Sequence, residues 1–196
     1  MQAVDLSNEV AMAIDRKQII MQVDEFLVNK RTVQSHAWSK KLTNICIDYR
    51  ESYTKPKACI LAVSREAGVD LVAVFNNSIT GRKFKVFLEE LRAKHPFEDI
   101  CLILDNLSLH KSREMKGRMD ELGFNYCYTP IYSPEFNGGV ETAIGLGKLK
   151  LKQLRLDAIL KEKELSLNGI IKSIYYKLNV QQVAKCVARS LQLLNL

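Results

Sequence analysis

Two hydrophobic periods alternate along this chain, and the switches between them mark its elements. Residues 18–28 (QIIMQVDEFLV) form an apolar run that predicts a buried strand. Short apolar stretches at 37–39 (AWS) and 43–48 (TNICID) predict two more strands. Residues 58–78 read as two strands around a turn at Gly68, because apolar and β-branched residues flank Glu66-Ala67-Gly68-Val69-Asp70. The period then changes. Phe84, Phe87, Leu88 and Leu91 recur at helical spacing after a capping Thr80, and His95-Pro96 ends that helix. Residues 99–105 (DICLILD) are continuously apolar, as in a strand covered on both faces. Ser112 caps a predicted helix over 113–122 that Gly123 stops, and 125–131 (NYCYTPI) predicts a strand. Sequential strands followed by helix–strand alternation predict an α/β fold with a mixed sheet flanked by helices.

The segment beyond Val140 carries two patterns. Lys148 to Lys152 alternates basic and apolar residues like a strand, and Gly145 and Gly147 each weaken a helix by roughly 1 kcal/mol. Against this, Glu141, Lys148, Lys152 and Arg155 fall on one helical stripe and no turn signal interrupts the run, so a helix is predicted. Residues 180–195 predict a second amphipathic helix, with Val183, Val187 and Leu191 on its apolar face.

Composition narrows the class. With 196 residues, 47% hydrophobic and 26% charged, the chain suits a globular domain with a core of its own. No stretch approaches the roughly 18 apolar residues of a membrane span, and the N-terminus lacks the basic start and apolar core of a secretory signal. Five cysteines without a CxxC pair disfavour disulfide and zinc frameworks, so a reducing, intracellular compartment is expected. The net charge of +7 is unevenly placed: residues 1–141 hold 19 basic and 19 acidic residues, and residues 142–196 hold 10 and 3. That excess suits a surface following a polyanion, and equally a solvated helix face.

Candidate chemistry lies at the ends of the apolar runs. Asp24, Asp105 and Glu141 each close such a segment. Singly, each has a plain structural reading: a strand-end acid, a turn opener, a first-turn helix acid. Together they are the donor set of a two-metal phosphoryl-transfer site, where hard divalent ions take carboxylate oxygens. Lys148, two helical turns from Glu141, is the leading phosphate-contact candidate, with Lys152 and Arg155 behind it. His110 reads either as a helix-entry histidine bonding backbone or as a group near the scissile phosphate. Trp38 reads more readily as core than as a base-stacking platform.

The order and spacing of these residues resemble the catalytic domain of DDE-superfamily transposases of the mariner and insertion-sequence type, over residues 18–155. The matching positions are the Asp24-Glu25 pair, Trp38-Ser39, Asp105-Asn106 with His110, the turn Pro130, Tyr132, Ser133, Pro134, Glu135 and Asn137, then Glu141 and Lys148. Thirty-five residues separate Asp105 from Glu141. The resemblance implies an RNase H-like fold with a five-stranded sheet. It implies Asp24, Asp105 and Glu141 as catalytic residues and ligands of two Mg2+ or Mn2+ ions, and DNA contacts from Asn106, His110 and Lys148, to which the basic helical stripe adds Lys152 and Arg155. It further implies transposon ends and target DNA as partners, and a homodimer or larger assembly on DNA. Location would be the nucleus in a eukaryote, or the cytoplasm and nucleoid in a bacterium. Residues 1–160 would form the catalytic domain and 161–196 a helical extension. The 23 residues ahead of Asp24 leave no room for the family's helix-turn-helix region. The chain departs from the pattern at Asn137-Gly138-Gly139-Val140-Glu141, one residue longer than usual and without its proline, and at Ile144, where an aromatic is usual. A Gly-Gly pair there is expected to loosen the turn that places Glu141. The rival reading is a domesticated, non-catalytic DNA-binding or assembly module; a plain RNase H-type nuclease is a third.

Overall fold

The computed structural model describes residues 3–28, 40, 56–161 and 167–194. Among these, helix α1 (Ala3–Asp15) leads into strand β1 (Ile19–Val28), followed by β2 (Lys57–Ser64) and β3 (Gly68–Phe75). Then come α2 (Gly81–Lys94), β4 (Ile100–Leu104), α3 (Arg113–Glu121) and β5 (Phe124–Tyr128). A 3-10 turn (Pro134–Asn137) opens directly into the long helix α4 (Gly138–Leu160), and α5 (Leu167–Tyr176) and α6 (Val180–Gln192) complete the order. The expected strands at 37–39 and 43–48, with Trp38-Ser39, lie outside the described residues.

The five strands form one mixed sheet in the order β3-β2-β1-β4-β5. β1, β2 and β3 pair antiparallel, while β1–β4 and β4–β5 pair parallel. This is the mixed sheet that the sequence predicts. The tight turn between Ser64 and Gly68 makes β2 and β3 an antiparallel hairpin, and the helical crossovers through α2 and α3 allow the parallel part. β1 is central, so it is buried on both faces.

The pleat sorts β1 by parity. Met21 and Val23 join a core beneath α2 and α3 with Phe84, Phe87, Leu91, Met115 and Met119. Phe26 and Val28 join the opposite core with Val140, Ile144, Leu151, Ile171, Tyr175 and Val187. Ile20, on that same side, packs with Leu6 and Val10 of α1. Asp24 therefore faces α4, and its neighbour Glu25 faces α2 and α3.

One element, α1, was not anticipated, and α5 lies within 161–196, the span expected as a helical extension, without having been individually placed there. The strand expected over 125–131 ends at Tyr128: the Thr129 N–H still donates to the Leu104 carbonyl at 2.9 Å, but Pro130 has no N–H to continue the ladder. The segment after Glu141 is a helix throughout, and its alternating LKLK stretch lies within α4. Packing against the sheet and α5 decided between the two periods. No helix among the described residues is long and apolar enough to cross a membrane.

Candidate active site

Register brings the first two acids together. Gln22 pairs with Ile103 as the last pair of the parallel β1–β4 ladder, and β4 ends one residue before Asp105. Two further steps in the same register set Asp24 level with Asp105, both on the α4 side. Asp24 Oδ1 accepts the Glu25 N–H at 2.7 Å. Asp105 Oδ1 accepts the Leu107 N–H at 3.3 Å, an Asx turn at the strand end.

The third acid comes from the first turn of α4, and three contacts pin that turn to β1. The buried Gln22 amide accepts from the Val140 N–H at 3.2 Å, and it donates to Ser190 Oγ at 2.6 Å and to the Phe136 carbonyl at 3.2 Å. Asn137 Nδ2 donates to the Val23 carbonyl at 3.2 Å. Gly139 allows the approach: a Cβ there would sit 2.9 Å from Val187 Cα and against the side-chain Oε1 of Gln22. The expectation of a loosened Gly-Gly turn is therefore corrected. Gly138 and Gly139 lie inside the helix, and Gly139 is a close-packing position. Gln22 escaped sequence reasoning because an amide inside an apolar run carries no motif. Its parity with Asp24 was the available signal.

Asp24, Asp105 and Glu141 line one cleft with Asn106, Leu107, Asn137 and the turn from Thr129 to Pro134. On its rim Tyr132 is 97% exposed and holds a left-handed φ of 59°. That conformation is uncommon for a non-glycine residue. A second cleft on the other side of Asp24 and Glu141 is lined by Phe26, Leu27, Ile79, Ile144 and Lys148. Lys148 Nζ lies 5.5 Å from the Phe26 ring centre, so its charge sits beside the acids with its stem on an aromatic face. Glu135, the other acid of the turn, lines a separate depression with Thr142, Cys186 and Arg189.

The acids feel one another. Burial, then the Glu141 carboxylate, push the Asp24 carboxyl up to about 7; Glu25 and Asp105 add to this, and the Glu25 amide opposes it. An acid that binds its proton more tightly folded than unfolded stabilises the fold fully below its unfolded pKa of 3.8, and loses that contribution as pH rises through about 7. The metal-free protein is thus expected to lose on the order of 2 kcal/mol between pH 4 and 8 through this group, a figure discounted for its partial contact with water. Urea unfolding of wild type and Asp24→Asn across that range checks it: the difference between the two should grow with pH, and a constant difference refutes it.

His110 and Arg155 require correction as DNA contacts. His110 is 0% exposed, with Nδ1 2.8 Å from Asp105 Oδ1 and Nε2 3.1 Å from Glu25 Oε1. Burial pulls its pKa down, but the two carboxylates outweigh this and raise it to about 9. Arg155 is 4% exposed, on the inward stripe with Leu151 and Ala158. The helical stripe of Glu141, Lys148, Lys152 and Arg155 turns out to straddle the edge of the buried face. Lys148 and Lys152 are half-buried, and Asn106 lines the acid cleft.

Donor atoms of Glu25, Asp105 and His110 lie within 4.8 Å of one another, the spacing of a possible cation site. An imidazole whose two nitrogens both donate to carboxylates has no lone pair for a metal. We therefore read this trio as an ion-pair network. The cleft formed by Asp24, Asp105 and Glu141 is the better metal candidate. It offers three hard carboxylates, and among the described residues the hydrogen bonds and ion pairs at both aspartates engage only Oδ1.

Comparison with known proteins bears on this arrangement. The family described as DDE superfamily endonuclease matches residues 20–157, more than half of the chain. The chain belongs to the DDE superfamily of endonucleases. The matched span runs from β1 through most of α4 and so contains all three acids of this DDE domain. Its fold is similar to the crystal structure of the catalytic domain of Mos1 mariner transposase, with a TM-score of 0.59 at 11% identity, covering 99% of this chain and 90% of that one. It is also similar to Mos1 mariner paired end complexes solved with Mn (TM-score 0.55, 14% identity) and with Mg (TM-score 0.61, 13% identity). In these it covers 96% and 99% of this chain and 61% of the Mos1 chain in each case. No curated protein sequence matches the chain.

Proposed function

We propose that this DDE domain is the catalytic part of a transposase. It would cut a DNA phosphodiester to leave a 3′-hydroxyl, then join that hydroxyl to a second DNA strand in the same cleft. The observation that carries the reading is the lining of one cleft by Asp24, Asp105 and Glu141, delivered by β1, β4 and α4 in the family's order. Magnesium or manganese ions, two in our reading, would be held by these carboxylates and would activate the attacking oxygen and neutralise charge on the phosphate. The chain's own residues do the rest. Gln22 and Asn137 hold the start of α4 against β1, which fixes Glu141 relative to Asp24. Lys148 meets a phosphate beside the acids, and Lys152, one turn further on, extends that path. Asn106 and the exposed rim of Leu107, Ile131 and Tyr132 face the bases. Transposon ends and target DNA are the partners in this reading, engaged by a dimer or larger assembly.

The direct test is nicking and joining of supercoiled plasmid with Mg2+ or Mn2+, comparing wild type with Asp105→Ala. Metal-dependent products from wild type alone support the reading. Equal products from both proteins, or none from wild type, remove it.

The basic path has a separate test. Each phosphate contact on duplex DNA adds roughly 0.9 to the slope of log affinity against log salt. Lys148→Gln with Lys152→Gln should weaken binding to any sequence alike and flatten that slope by about one to two units in a fluorescence titration. Arg155→Gln, being inward, should leave the slope alone. A slope that follows Arg155 instead would reverse the assignment.

A further inference from the structure

The pleat of β1 sends two adjacent acids to opposite sides of the sheet, Asp24 into the cleft and Glu25 beneath α2 and α3. Only Asp24 is used above. Glu25 Oε1 meets His110 Nε2 at 3.1 Å, and the other ring nitrogen meets Asp105 Oδ1 at 2.8 Å. The ring is fixed on every side. It is fully buried, lies 4.6 Å from the Phe84 ring centre, and belongs to a residue whose N–H donates to the Leu107 carbonyl at 3.1 Å. Its carbonyl in turn accepts from Tyr128 Oη at 2.9 Å. Asp105 Oδ1 takes two donors, the Leu107 N–H and the His110 ring, so that oxygen is committed to the protein.

We propose that His110 is a positioning residue which, braced by Glu25, locks the Asp105 carboxylate in one rotamer and leaves a single oxygen, Oδ2, free to bind a divalent ion in the cleft. The proposal rests on the assignment of Asp105 to the acid cleft made above. The physical argument is preorganisation. A carboxylate on the first residue past a strand has two free torsions and could swing or turn both oxygens toward a cation. A buried charge-assisted bond at 2.8 Å removes that freedom before the ion arrives. Partners that orient a metal ligand typically change metal affinity by about 10- to 100-fold when removed. β1 thereby governs two acids at once, Asp24 directly and Asp105 through Glu25 and His110.

The test measures Mn2+ binding to the full chain by the loss of the free-ion electron paramagnetic resonance signal, alongside plasmid nicking across a Mn2+ titration. His110→Gln fills a similar space but cannot span both carboxylates. It should weaken Mn2+ binding by about 10- to 100-fold and move the nicking midpoint to higher Mn2+ by the same factor, while the saturated rate stays within a few fold of wild type. Glu25→Leu removes the brace from the far side and should reproduce that shift. Glu25→Gln keeps an acceptor for the ring and should fall between it and wild type. A folded His110→Gln that binds Mn2+ within twofold of wild type overturns the proposal, and so does a rate lowered equally at every Mn2+ concentration. If His110→Gln fails to fold, the graded Glu25 pair decides, and an ungraded result there overturns it. A wild type that binds no Mn2+ and does not nick removes the functional reading as well. A wild type that does both, with unmoved variants, removes this one alone.

Discussion

Asp24→Asn is expected to lower metal-dependent nicking by roughly three orders of magnitude, the scale of losing one preorganised electrostatic contact at a reacting centre. The substitution keeps the shape of the side chain and its place in the centre of β1, opposite Leu61 of β2. What it removes is charge. The amide oxygen can still accept the Glu25 N–H, so the local hydrogen bond survives. The metal-free protein should gain stability at neutral and higher pH, because burial and the Glu141, Glu25 and Asp105 carboxylates all disfavour a charge at this position. Loss of activity together with gain of stability is the signature of a residue kept for chemistry. DNA affinity should hardly change, since Lys148 and Lys152 are untouched. Nicking assays paired with thermal melting read both quantities, and a variant that cuts DNA within tenfold of wild type would exclude Asp24 from the site.

Much of this was legible in the chain because local signals and the fold agreed. The apolar runs of β1 and β4 are covered on both faces, and their lengths fixed where Asp24 and Asp105 would fall. Ser112, read as a cap, accepts the Met115 N–H at 3.2 Å. Thr80, read the same way, makes no such bond through its side chain. The roles of His110 and Arg155 were not legible, because helical stripes and motif spacing do not report depth. Arg155 shares a stripe with Lys148, but two more turns of α4 carry it under the body of the domain. His110 reads in sequence as a helix-entry histidine or a group near the scissile phosphate, yet the loop after β4 packs its ring against Phe84 of α2. The partner that decides its role, Glu25, is 85 residues away in sequence. The Gly-Gly pair was misjudged for the same reason: nothing local says that Val187, in a helix 48 residues on, packs against it.

The two kinds of glycine in α4 give the last expected result. Gly139 and Gly145 occupy one helix six residues apart, and helix propensity alone charges any glycine in a helix with the same loss of stability. The structure separates them. A Cβ on Gly139 meets the Gln22 amide, Val187 Cγ2 at 2.5 Å and Val187 Cα at 2.9 Å, and two of these three atoms belong to the element packed across it. A Cβ on Gly145 meets nothing within 4 Å. Gly139→Ala should therefore cost about 1–3 kcal/mol by overpacking, whereas Gly145→Ala should stabilise by roughly 0.5–1 kcal/mol through helix propensity. In a chain of this size each kcal/mol moves the melting temperature by about 2–4 °C, so the two variants should melt on opposite sides of wild type. Gly139→Ala has a second consequence. Relief of the clash must move either α6 or the first turn of α4 away from β1, and Glu141 travels with that turn. Nicking by this variant should fall even at temperatures where it remains folded, while Gly145→Ala cuts as wild type does. Two variants that both stabilise would show that the start of α4 stands clear of Gln22 and Val187, and would return Glu141 to a loose turn.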